Sequence, residues 1–277
     1  MRARPELRAG TRAITSTQNE RVKLIRALEM RKVRRETGLF VAEGTSVLLT
    51  ARAAGWEPKI LALLAESRDK PSAAEVARWA EGAGAECLEV SASLLAKLAG
   101  KDNPQSMLGV FEQRWARLPA AGALRQGAIW VALEAPRDPG NLGTILRSIE
   151  AVAASGVVLI EQSCDPYSRE AVRASMGSIF NVPVVRAEAS AFLAWRAQWP
   201  GEVVGTHLAA AHDFRQVAYR APVLLLMGSE GPGLTPELAR ACSRLVKIPM
   251  AGTLNSLNLA VATSLMLYEI ARERLQL

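Results

Sequence analysis

Six short runs in the second half of the chain most constrain its fold: AIWVALEA (128–135), GVVLI (156–160), VPVVR (182–186), EVVGTH (202–207), PVLLLMG (222–228) and RLVKIPM (244–250). Each is apolar at consecutive positions and most are rich in β-branched residues, so a strand built from it must be buried on both faces. Helical patterns separate most of the runs. The first of these places Leu142, Ile145, Leu146 and Ile149 on one stripe. A mainly parallel sheet covered by helices meets both demands, so residues 128–277 are expected to form an α/β domain.

The preceding part repeats the alternation on a smaller scale. The strand-like runs LFVAEG, KILALLA, CLEVS and MLGVFE enclose helical stretches at Thr45–Ala54, Ala73–Glu81 and Ala92–Leu98, a smaller α/β unit spanning 38–113. Between them RWARLPAAGALRQ, with Pro119 and Gly122 and no strand pattern, reads as a linker over 114–127. With 277 residues, 49% of them hydrophobic and 22% charged, the chain has enough apolar material for two packed cores.

The formal charge of +7 is carried entirely by the first 37 residues, which hold 11 basic and 4 acidic side chains, while the other 240 carry 23 of each sign. Thr17-Gln18-Asn19-Glu20 has the form of a capping box, and Val22, Ile25 and Leu28 follow at helical spacing, so a helix is expected over 18–36 with Gly38 as its stop. Its other faces present Arg21, Lys23, Arg26, Arg31, Lys32, Arg34 and Arg35. Such an arm is either a solvated basic helix or a contact for a polyanion, since a cation placed on a phosphate releases condensed counterions. Arg173, within the helical pattern EAVRASMG, joins these as a candidate RNA contact.

No apolar run approaches the ~18 residues of a membrane span and the N-terminus lacks a signal-like apolar stretch, so a cytoplasmic protein is expected. Cys87, Cys164 and Cys242 form neither a disulfide framework nor a zinc cluster. His207 and His212 stand five apart without other ligand-type neighbours, and no metal site is expected.

Three glycine- or asparagine-marked segments follow predicted strands, where open α/β sheets place ligand sites. In PRDPGNLGTILR (136–147), Asn141 can act as a helix cap, and Arg147 lies about 140° from the apolar stripe, either a solvated arginine or a guanidinium offered to a phosphate or a reacting hydroxyl. In MGSEGPGL (227–234), Gly228, Gly231 and Gly233 surround Glu230. The run has neither the Gly-Lys-Ser/Thr of a phosphate loop nor the dinucleotide glycine pattern, leaving a plain turn or a ligand loop. In IPMAGTLNSLN (248–258), Ser256 and Asn258 are natural caps for a last helix that is apolar nearly all round and therefore needs cover from a second subunit.

Asn-Leu-Gly-x-Ile-x-Arg at 141–147, Gly-Ser-Glu-Gly-x-Gly at 228–233 and Ser-Leu-Asn at 256–258, in this order, resemble the signature of the SpoU/TrmH family of RNA ribose 2′-O-methyltransferases of the SPOUT class. The intervening DPYSREAVRASMGSIFNVPV resembles that family too, and ITSTQNERVK with LFVAEG resembles the ribosomal-protein-like RNA-binding domain that precedes the catalytic domain in several members. The resemblance implies a trefoil-knotted α/β methyltransferase domain that dimerises with a second copy, preceded by a smaller α/β domain that holds RNA. It implies S-adenosylmethionine as cofactor and no metal. Gly228, Glu230, Gly231, Gly233, Ile248, Met250 and Leu257 match the cofactor pocket, and Arg147, Asn141, Glu230, Ser256 and Asn258 the catalytic set. Arg147 would clamp the adjacent phosphate and stabilise the developing alkoxide, because a guanidinium with a pKa above about 12 is a poor base. Two positions depart from the pattern: Ser229 stands where Asn is frequent, and Asn255 where Glu or Asp is common.

The basic arm together with the ribosomal-protein-like domain that the resemblance implies tilts the substrate toward ribosomal RNA over transfer RNA. A catalytically inactive RNA-binding or ribosome-assembly factor, and a knotted enzyme acting on a base, are the alternatives.

Overall fold

The computed structural model describes residues 10–68, 70–100 and 104–275. They form two units, one of residues up to Gln113 together with Asp165–Asn181, the other of Arg114–Cys164 with the residues from Val182 onward.

In the first unit the elements are β1 (Gly10–Ile14), α1 (Glu20–Ala27), α2 (Arg31–Thr37), β2 (Leu39–Glu43), α3 (Thr45–Ala53), β3 (Ile60–Leu64), α4 (Pro71–Gly82), β4 (Glu86–Val90), α5 (Ala92–Ala99) and β5 (Met107–Glu112). The sheet runs β1-β4-β3-β5-β2, with β5 antiparallel to both of its neighbours and the other pairs parallel. Val22, Ile25 and Leu28 are fully buried against Leu88, Leu95 and Leu98, so the helical spacing in the basic segment is a core stripe.

Four expectations for this segment are corrected. Residues 10–14 are a strand of the sheet and not part of a separate arm, a long-range pairing with Glu86–Val90 that local pattern does not encode. The cap is Asn19, whose side chain accepts from the Arg21 amide, and not Thr17. The helix expected over 18–36 is two helices, because Arg34 reaches back and donates from Nη1 to the carbonyls of Leu28 and Glu29, both at 2.7 Å, satisfying groups a continuous helix would have used. Its Nε donates to Asp165 Oδ2 at 2.8 Å. Arg34 is 4% exposed. It is therefore an internal strut and not one of the RNA contacts expected of it.

Asp165–Asn181 joins this unit although the sequence reading assigns it to the second domain. The reason is aromatic packing: Tyr167 and Phe180 lie 4.7 and 5.9 Å from Phe40, and the Trp56 indole donates to the Phe180 carbonyl at 2.8 Å. Each such ring pair adds ~0.5–1.5 kcal/mol beyond area burial. Arg169 is held by Glu29 at 2.7 Å and by the Ile25 carbonyl at 3.0 Å.

In the second unit the chain continues through β6 (Ile129–Glu134), α6 (Pro139–Ala151) and β7 (Gly156–Ile160), the helix Arg169–Ser175 of the first unit being α7. There follow β8 (Val184–Ala187), α8 (Ala189–Arg196), β9 (Glu202–Thr206), β10 (His212–Asp213), β11 (Val223–Met227), α9 (Pro236–Ala241), β12 (Arg244–Lys247) and α10 (Leu259–Ile270). The order is β10-β12-β9-β11-β6-β7-β8 and every pair is parallel. The six apolar runs all supply strands; the two-residue edge strand β10 carries no apolar run and is not visible in the sequence. β6, β7 and β11 are buried along their whole length, as two-sided cover requires.

Residues 114–127, expected as a linker, pack into this unit. Ala116 bridges to Val185, the Arg186 guanidinium stacks 4.0 Å over the Trp115 ring, and the Trp195 indole donates to the Pro119 carbonyl at 2.7 Å.

Candidate active site

The ends of β6, β11 and β12 lie on one edge of the parallel sheet, and each is followed by one of the three marked segments. Register makes this neighbourhood tight: Leu133 pairs with Met227, so the loops that follow Glu134 and Met227 leave the sheet side by side.

The Gly228–Gly233 loop folds back on itself. Ser229 and Gly233 exchange backbone hydrogen bonds at 3.2 and 3.1 Å. A Cβ on Gly228 would lie 2.0 Å from the Gly233 carbonyl carbon and 2.1 Å from the Leu234 nitrogen, so glycine is the residue this crossing admits. Gly231 and Gly233 take φ of 96° and 76°. Thr235 then caps α9. Glu134, a buried carboxylate at the end of β6, accepts from the Thr235 amide at 2.9 Å and so fixes the loop's far end to the strand beside it.

Asp138 caps α6, accepting from the Asn141 amide at 2.6 Å. This frees the Asn141 side chain from the capping role open to it in the sequence. Its Nδ2 donates to Glu230 Oε1, and its Oδ1 accepts from Asn258 Nδ2 at 2.9 Å. Asn258 caps α10 through its own Oδ1, which accepts from the amides of Ala260 and Val261 at 2.9 and 3.3 Å. One side-chain chain thus links a residue of each of the three motifs: Glu230, Asn141 and Asn258. α6 and α10 are joined again by Ser148 and Ser264, whose hydroxyls are 2.6 Å apart.

The loops enclose a cavity of about 750 Å³. Gly228, Glu230, Gly231 and Gly233 line one side, Ile248, Met250 and Leu257 another, so every residue matched to the cofactor pocket lies on its wall. Asn141, Ser256 and Asn258 line it as well. Thr206, His207, Lys247 and Asp138 also face it and were not singled out by sequence. Their one signal was position, immediately after or at the end of predicted strands, or at the start of a helix. Arg147 lies outside this wall. It is exposed on α6, six residues and about 9 Å along the axis from Asn141, and its side chain makes no hydrogen bond or ion pair among the described residues.

In the first unit Lys23, Arg26, Arg31, Lys32 and Arg35 are exposed on α1 and α2. Arg21 is half-buried and paired with Glu86 at 2.7 Å. Arg173 is exposed and stands 3.6 Å from Glu43.

Residues 128–268 match the model of the SpoU rRNA Methylase family. The chain belongs to that family. Residues 19–109 match the MRM3-like substrate binding domain. The chain is similar to a 23S rRNA (uridine(2479)-2′-O)-methyltransferase of Streptomyces viridochromogenes, 31% identical over 99% of this chain and 96% of that protein. It is also similar to a 23S rRNA (guanosine(2553)-2′-O)-methyltransferase, RlmP, of Bacillus subtilis, 26% identical over 93% of this chain and 98% of that one. Among solved structures, an AdoMet-bound rRNA methyltransferase from Sinorhizobium meliloti superposes with a TM-score of 0.88 at 42% identity, covering 96% of this chain and 99% of that chain. Membership fixes the fold class as the α/β architecture of SpoU methyltransferases, and among the described residues no helix is long and apolar enough to cross a membrane.

Proposed function

We propose that the protein transfers a methyl group from S-adenosylmethionine to a ribose 2′-hydroxyl of ribosomal RNA. The observation that carries this reading is the chain Glu230–Asn141–Asn258, which ties the three family motifs into one wall of one cavity. The relatives above, named for 2′-O-methylation of 23S rRNA, support ribose over base and ribosomal over transfer RNA.

The residues present suit S-adenosylmethionine. The close crossing at Gly228 admits no side chain, so the 228–233 loop lines the cavity with a tightly folded backbone, and about 750 Å³ falls within the range of cofactor sites. Gly228, Ile248 and Leu257 would hold it largely through backbone groups, with Met250 and the glycines completing the wall. When bound, this cofactor supplies a methyl group on a sulfonium, which asks of the protein only a positioned nucleophile.

A ribose hydroxyl is a poor nucleophile, so orientation and electrostatics must supply most of the rate. The protein's part is to hold the 2′-hydroxyl in line with the methyl group that a bound cofactor would present, and to leave its proton a path to water or to a phosphate oxygen. Arg147 clamps the adjacent phosphate and stabilises the developing alkoxide; its exposure on α6 leaves its five donors available for RNA. Asn141 orients the ribose, Glu230 fixes the orientation of the Asn141 amide, and Ser256 and Asn258 contact substrate.

The second unit carries the transfer and is knotted, as the family resemblance implies, and the first holds RNA through Lys23, Arg26, Arg31, Lys32, Arg35 and Arg173. Two copies pair through α10, whose Val261, Leu265 and Tyr268 are 49, 41 and 52% exposed on one stripe. A ribosomal substrate goes with a cytoplasmic location. Binding of S-adenosylmethionine followed by calorimetry, and transfer of labelled methyl to unmodified ribosomal and transfer RNA pools, test the reading together: binding with label in ribosomal RNA alone is expected, and label confined to transfer RNA or the absence of binding would refute it.

A further inference from the structure

The first unit holds a second, smaller cavity of about 250 Å³ that the transfer reaction does not use. Its floor is apolar, from Val41, Val47 and Val172, and its polar lining consists of Ser46, Gln105, Glu43 and two arginines, Arg169 and Arg173. These are a mixed set: guanidinium, hydroxyl and amide donors beside one carboxylate acceptor over a hydrophobic base. Below the ~300 Å³ of sites for drug-sized ligands, such a cavity takes one ring system and the groups attached to it.

The two arginines differ in kind. Arg169 is built in, with its side chain 12% exposed, paired with Glu29 at 2.7 Å and donating to the Ile25 carbonyl; burial pulls its pKa below the ordinary arginine value. It is a fixed part of the wall. Arg173 is 55% exposed at the mouth and only 3.6 Å from Glu43, a long contact that a phosphate can displace at little cost. Beside it Met176 is 60% exposed and holds a left-handed backbone at φ 52°, a conformation that a non-glycine residue keeps where the surroundings impose it. A flexible thioether held out at the rim of an arginine-lined pocket offers an apolar face to a flat ring.

We infer that this cavity receives one unstacked nucleotide of the RNA substrate, its base over the apolar floor against Met176 and within reach of Gln105 and Glu43, its phosphate on Arg173. Sequence-specific proteins read RNA mostly through bases splayed out of loops and bulges, which matches a one-ring pocket and not a duplex groove. The inference rests on the RNA substrate of the function proposed above. It adds that the first unit selects its target through a base, whereas the exposed cations of α1 and α2 contribute affinity without sequence information.

The test uses the full chain and ribosomal RNA carrying 5-iodouridine, with two variants. Ser46→Trp blocks the mouth from an exposed position on α3, and Arg173→Gln removes the charged phosphate contact while keeping a polar, hydrogen-bonding side chain. Both are expected to raise KM for RNA at least tenfold with kcat and S-adenosylmethionine affinity unchanged, and photocrosslinks in the wild type are expected to map to Met176 or Gln105. Unchanged KM in both variants, or crosslinks confined to α1 and α2, would overturn the inference and leave methyl transfer standing. Failure of the wild type to transfer methyl would count against the proposed function, and the crosslink map still decides the pocket.

Discussion

Asn258 and Asn141, 117 residues apart in the chain, share a hydrogen bond of 2.9 Å from the amide of one to the carbonyl oxygen of the other. Because Asn141 also donates to Glu230, its amide can face only one way, and any loss in this chain frees the others. Replacing Asn141 or Asn258 by Ala is expected to lower kcat/KM on the order of 10²-fold, the scale of a misplaced reacting group. The double variant is expected to lose little more than either single one, since residues in one network do not add. Steady-state rates of the three variants check this.

Gly228→Ala sets a Cβ against backbone at 2.0 Å and is expected to abolish cofactor binding. At Gly231 a Cβ meets nothing within 4 Å and only the φ of 96° resists it, so Gly231→Ala is expected to lose ~1–2 kcal/mol in stability and keep measurable affinity. Calorimetric titration of both variants with S-adenosylmethionine separates the two outcomes.

Two neighbouring cations of α2 have opposite roles. Arg34→Ala leaves Asp165 buried without its partner and is expected to destabilise the protein by ~3–5 kcal/mol. Lys32 is exposed, and Lys32→Ala is expected to leave Tm unchanged, weaken RNA binding and reduce the salt slope by about 1. Thermal unfolding and RNA titrations at two or more salt concentrations test both.

This contrast marks how far the sequence reaches. Buried strands are legible because two-sided burial writes continuous apolar runs, and the three motif segments are legible because each follows such a run. Arg34 was not, since nothing in RKVRRE distinguishes the arginine that will meet an aspartate 131 residues later from its exposed neighbours. The same holds for β1, whose place in the sheet comes from pairing with Glu86–Val90, and for Asp165–Asn181, drawn into the first unit by ring contacts with Phe40. In the site, residue types and order identified the cavity wall, whereas the direction of the Asn141 side chain followed from Asp138 taking the cap.

Burial pushes the thiols of Cys87 and Cys242 up to about 11 and about 12. Folding therefore favours their neutral forms, and the stability this contributes is full below the unfolded value of 9.0 and is lost as pH rises through about 11 to 12. Neither thiol is expected to react with a thiol reagent at pH 8 until the chain unfolds, and stability is expected to fall above about pH 9. Timed labelling with peptide mapping, and denaturant midpoints across that range, provide the check.

On the proposed pairing through α10, Val261→Glu with Leu265→Glu places two charges on its exposed stripe and is expected to yield a monomer without loss of fold where the wild type sediments as a dimer, read by sedimentation velocity and circular dichroism.

Methylation of a ribose 2′-hydroxyl removes the nucleophile that alkali uses to cleave the adjoining phosphodiester. Ribosomal RNA labelled by the protein with radioactive methyl, then hydrolysed to completion in alkali, should therefore carry its label in alkali-resistant dinucleotides, and Arg147→Ala should abolish that label while retaining cofactor binding. Label recovered in mononucleotides would mean transfer to a base and would contradict the account.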